Sequence, residues 1–60
     1  MPDVDDIRSR LEAIAEELTE LAVNVLRDAV EAGADSRPDA EKRLMRARTA
    51  VEKAAHLLDG

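Results

Sequence analysis

Sixty residues with no cysteine and no aromatic side chain exclude a disulfide framework, a thiolate metal site, a core anchored by buried rings and a stacking platform for bases. A chain this short buries too small a fraction of its surface to be comfortable alone, which leaves a second copy as the remaining route to stability. The net charge of −5 disfavours nonspecific attraction to nucleic acid or to an anionic lipid surface.

The first predicted element is a helix over about residues 3–32. Asp3 is suited to cap it, and Asp5 and Asp6 fall in the first turn, where carboxylates meet the exposed amides and the positive end of the helix dipole. Val4, Ile7, Leu11, Ile14, Leu18, Leu21 and Val25 recur at alternating spacings of three and four, which is a heptad seam. Gly33 is the residue expected to take the left-handed conformation that ends the helix.

The linker over about residues 33–37 is short, so the two helices should be antiparallel neighbours. Ser36 and Asp39 have the spacing of a capping box, and Pro38 is tolerated in a first helical turn. A second helix over about residues 38–58 then carries its own heptad run, Ala40, Leu44, Ala47, Val51, Ala54 and Leu58. Folding one seam onto the other sets Leu11 against Leu58, Leu18 against Val51 and Val25 against Leu44. Large-on-small layers, Ile14 with Ala54 and Leu21 with Ala47, alternate with these and specify one register.

A hairpin of this kind leaves apolar residues over. Val4 and Ile7 project past the end of the second helix, and Ala15, Ala22, Leu26 and Ala29 form a strip beside the first seam, with Met45 and Ala55 on the same flank. A strip of that size exposed on a monomer marks an interface. The expected architecture is therefore all-α: a single domain over residues 1–60, a two-helix antiparallel, coiled-coil-like hairpin that pairs into a homodimeric four-helix bundle. Val4, Ile7, Ala15, Ala22, Leu26, Ala29, Met45 and Ala55 are its expected interface.

Few residues invite chemistry. His56 is the only imidazole, with Glu52 and Asp59 one turn to either side, but bundle metal sites are built from inward-facing Glu-x-x-His repeats and the spacing here is Glu-x-x-x-His. Its charge near a helix C-terminus accounts for it. Asp28 occupies a seam position, where it is expected to reach the start of the second helix or to pair with Arg37 or Arg43. No metal ligand set, cofactor site or small-molecule substrate site is expected.

Charge is divided along the chain. Between Asp3 and Ala32 there are nine acidic and three basic residues, and from Arg37 to Gly60 four acidic and six basic. Lys42, Arg46 and Lys53 fall along one outward face of the second helix and are the candidate nucleic-acid contacts, although no aromatic is interleaved with them. The acidic N-terminus and the lack of a long apolar run argue against a signal peptide or a membrane span, so a cytoplasmic protein is expected.

Asp6, Ile7 and Arg8, followed by Leu11, Ile14, Glu17, Leu18 and Leu21, resemble the first helix of the all-helical chorismate mutases, small entwined helical dimers. The resemblance covers about a third of the chain. It implies that Arg8 matches the first substrate-holding cation of that helix. Val25 stands where the second is expected, Arg27 lies on another face and no Lys precedes Lys42, so the mutase activity does not carry over. In architecture the chain is also similar to the small plasmid-encoded helical hairpins that dimerise and bind paired RNA loops, without a shared motif. The reading from sequence is a non-catalytic protein–protein interaction or regulatory module that self-associates. Its alternative is an RNA- or DNA-binding regulator using the basic face of the second helix.

Overall fold

The computed structural model describes residues 2–60; Met1, part of the expected 1–60 domain, lies outside them. The Asp3 carboxylate accepts a hydrogen bond from the Asp6 backbone N–H at 2.8 Å, and helix α1 (Val4–Glu31) begins there. Its other end closes at Gly33, whose φ of 86° is available to glycine without the steric cost a Cβ would bring. The Gly33 N–H donates to the Val30 carbonyl at 3.0 Å and the Ala34 N–H to that of Ala29 at 2.9 Å, the pair of bonds that defines a Schellman cap.

Helix α2 (Asp39–Leu57) starts differently from expectation. The Ser36–Asp39 capping box does not form: the N-cap is Pro38, in an extended conformation, with no side-chain hydrogen bond to the helix amides. Proline biases Arg37 away from helical angles, which moves the start of the helix beyond reach of the Ser36 hydroxyl. Asp39 and Glu41 in the first turn still provide the favourable negative charge.

The two helices pack against each other as an antiparallel hairpin 47 Å long and only 15 by 13 Å across. Its radius of gyration, 14.2 Å, exceeds the about 10 Å of a compact globule of 60 residues. A rod two helices thick has almost no interior. Among the described residues only Ala15, Ala22, Ala55 and Glu41 are buried.

That short set reassigns the two faces. Ala15, Ala22 and Ala55, expected on an outer strip awaiting a partner, lie inside the hairpin itself, with Ala22 only 2% exposed. Half-buried Ala29 extends the alanine column of α1. Small side chains let two backbones approach closely, so this column, rather than the bulkier column one residue before it, turns toward α2. Ile14 and Leu21, expected at the centre of the seam, are 44% and 50% exposed.

Candidate functional site

The hairpin has two long sides, fixed by which flanks of the helices meet. On one, the Arg8 guanidinium pairs with the Asp59 carboxylate, and Arg48 Nη1 donates to Thr19 Oγ1 at 3.3 Å. Thr19 in turn donates to the Ala15 carbonyl one turn back, at 3.1 Å. Arg48 also approaches Glu52 at 3.4 Å. Around these contacts runs a shallow cleft of about 380 Å³ lined by Glu12, Ala15, Glu16, Thr19, Glu52, Ala55 and His56. This closed side is polar, with Arg8 and Arg48 each bonded across it through Nη1 while the Nε of each is buried without a hydrogen-bond partner.

A helix face that continues the heptad past the closed side must come out on the other side, and there the residues are apolar. On α1 it carries Ile7, Ile14 and Leu21, with Leu11, Leu18 and Val25 half-buried at the groove between the helices. On α2 it carries Ala40, Ala47 and Ala54, with Leu44, Val51 and Leu58 half-buried opposite. Leu57, 73% exposed, lies at the outer edge of the α2 half. The predicted seam is thus divided: Leu11, Leu18, Val25, Leu44, Val51 and Leu58 are half-buried between the helices, and Ile14 and Leu21 are left on the open side.

The remaining expected interface residues divide between these sides. Val4 is 55% exposed at the free end of α1, and Ile7 is half-buried. Leu26 and Met45 are half-buried, and their heptad positions put them with Thr19 and Glu52 on the closed side, so they too belong to the hairpin's own packing. Val23 and Val30 are exposed and lie on the closed-side flank of α1, in the column of Glu16 from the polar cleft and away from the open side. Isolated apolar residues of that sort are ordinary on a protein surface.

Sequence reasoning missed Glu41 and Arg48 because charged residues are counted as surface. Both continue, at seven-residue intervals, the α2 column that ends in Ala55 and faces the alanines of α1. Glu41 is buried, and Arg37 holds both its oxygens: Nε donates to one at 2.9 Å and Nη2 to the other at 3.0 Å. The methylene stems of such side chains cover the alanine column while their polar ends are satisfied at its margins. This takes Arg37 from the pairing expected with Asp28, which is exposed and has no ion-pair partner among the described residues.

His56 is exposed on the rim of the polar cleft, and Asp59 is engaged by Arg8. No group of three or more His, Cys, Asp or Glu among the described residues is arranged to hold a metal ion. Lys42, Arg46 and Lys53 are exposed and without ion-pair partners among the described residues; Lys42 and Arg46 share a shallow groove with Arg37, Met45 and Thr49. No helix among the described residues is long and apolar enough to cross a membrane. Comparison with protein-family models, with curated proteins and with solved structures finds no significant match to the chain.

Proposed function

We propose that this chain is a small non-catalytic interaction module whose working unit is a homodimeric four-helix bundle, formed when two hairpins bring their open apolar sides together. The observation that carries the reading is the surface the single hairpin leaves in water. Folded chains of 6.6 kDa expose about 3,900 Å² when compact. This hairpin exposes 4706 Å², an excess of about 800 Å². Each partner of a standard specific interface buries about 800 Å².

The same side supplies the chemistry such an interface needs. Ile14 and Leu21 stand above the groove at a seven-residue interval, and exposed Ala47 on α2 leaves a hollow opposite large residues. A second hairpin has the complementary pattern by identity, since the same knobs and hollows recur on it. The basic residues Lys42, Arg46 and Lys53 support the alternative of a nucleic-acid ligand only through charge. With a net charge of −5 and no aromatic to stack on a base, that reading is the weaker.

The test compares two substitutions at sites of nearly equal exposure. Leu21 is 50% and Val23 47% exposed, but only Leu21 is on the open side. Light scattering should find Leu21→Glu monomeric, with reduced helicity by circular dichroism, because a carboxylate cannot be left unpaired in an apolar interface. Val23→Glu should keep the wild-type mass and helicity. Equal behaviour of the two variants would refute the assignment of the interface.

A further inference from the structure

The hydrogen bond from Arg48 to Thr19 divides the closed side into two halves of different chemistry. Toward the free ends of the helices lies the polar cleft with Glu12, Glu16, Glu52 and His56. Toward the loop the same side turns apolar. Val23 and Val30, 47% and 64% exposed, stand seven residues apart on the flank of α1, and Met45 stands on the facing flank of α2, with Leu26 in the groove between them. Singly, each is an ordinary surface residue. Together they line one patch that runs from Thr19 to Val30, about three helical turns or ~17 Å.

The charge around the patch differs as well. Arg27 borders the depression that holds Val23, and Lys42 and Arg46 border the one that holds Met45. None of these three cations has an ion-pair partner among the described residues; Arg27 donates to the Asn24 side chain at 3.3 Å. The acid within this half, Glu41, is buried and held through both oxygens by Arg37. Glu20 and Glu31 lie further round the back of α1 than Arg27 does.

We propose that the loop half of the closed side is a docking site for a short amphipathic helix of another protein, one that carries carboxylates on both flanks of an apolar row. This goes beyond the dimer and uses the side that self-association leaves in water. A helix laid along the groove sets its apolar row over Leu26, between the two valines and Met45. Its flanks then pass Arg27 on one margin and Lys42 and Arg46 on the other, so both flanks are acidic. The length of the occupant is limited too. Past the Arg48 to Thr19 bond a carboxylate meets Glu12, Glu16 and Glu52, so the acidic helix stops about three turns from the loop.

Other anions fit this surface less well. Nucleic acid offers phosphates to the cations, but with no aromatic in the chain to stack on a base it leaves the four apolar side chains uncovered. An anionic bilayer is opposed by Glu16, Glu20 and Glu31 around the same flank and by the net charge of −5.

The experiment is fluorescence anisotropy with a labelled synthetic helix of about fourteen residues, roughly four turns, with leucine along one stripe and glutamate on both flanks. The control is the same peptide with lysine in place of glutamate. The glutamate peptide should bind at least about tenfold more tightly than the lysine peptide, and Val23→Glu and Lys42→Glu should each weaken it at least about fivefold at unchanged particle mass. Absence of saturable binding, equal binding of the two peptides, or indifference to Val23→Glu would overturn the site. Dissociation of the dimer by the peptide would also overturn it, because the peptide would then be on the open side. Binding of a single-stranded oligonucleotide, or of phosphatidylcholine vesicles containing phosphatidylglycerol, through Lys42 and in place of the peptide would overturn the choice of occupant. Self-association is read separately from the mass: a wild-type monomer that binds the glutamate peptide through Val23 would overturn the dimer and uphold this site.

Discussion

The two long sides of this hairpin are built from the same heptad rhythm and end in opposite conditions. On the closed side the alanine column of α1 meets Glu41, Arg48 and Ala55, and the polar groups at its margins find partners in the chain: Arg8 with Asp59, Arg48 with Thr19, Arg37 with Glu41. On the open side Ile14, Leu21 and Leu57 meet water, and Glu17, Asp28 and Arg43 beside them have no ion-pair partner among the described residues. The fully buried apolar contacts of the single chain are made by alanines, and Ile14, Leu21 and Leu57 are large residues it leaves in water.

The largest expected effect that sharpens this contrast is the one already described, loss of association in Leu21→Glu against none in Val23→Glu. Next is Ala22→Leu on the closed side. Ala22 is 2% exposed, and a leucine there must push the helices apart, lowering stability by about 1–3 kcal/mol in chemical denaturation. The same enlargement at exposed Ala47 should cost less, because a flexible interface between chains can shift to admit it. An equal loss at both positions would mean that the two sides are not distinct.

A smaller effect is expected from Arg37→Ala, which leaves the buried Glu41 carboxylate without its bidentate partner. The loss should be about 1–2 kcal/mol, below that for a fully desolvated pair because the Arg37 side chain is 56% exposed. Adding Glu41→Met to Arg37→Ala should recover most of it, since an apolar side chain of similar length needs no partner in that column. Failure of the second change to rescue the first would show that Glu41 contributes something other than packing and the Arg37 contact.

The ends of the helices were legible because single residues decide them. Asp3 supplies the carboxylate that accepts from the Asp6 amide, and Gly33 supplies the positive φ. The antiparallel packing of two helices followed from the short linker between two heptad runs. The side on which they meet was not legible from apolarity alone. Ile14 and Ala15 are adjacent in sequence, about 100° apart around α1, and both belong to regular seven-residue columns. A reading weighted by side-chain size chooses the isoleucine column, whereas close approach of two backbones chooses the alanine column. Glu41 and Arg48 reinforced the error, because the α2 column opposite those alanines contains two charged residues whose stems are what pack there. The expected interface residues Ala15, Ala22 and Ala55 are therefore core, and of the expected seam Ile14 and Leu21 are the residues left for a candidate interface, while Leu11, Leu18, Val25, Leu44, Val51 and Leu58 are half-buried in the hairpin.

The central claim is that a second copy covers the open side. Sedimentation equilibrium of the wild-type protein across a range of concentrations tests it most directly. The account expects a particle of twice 6.6 kDa that dissociates on dilution and unfolds at lower temperature as it does so. A species of 6.6 kDa at every concentration, melting cooperatively at a temperature that does not depend on concentration, would contradict it.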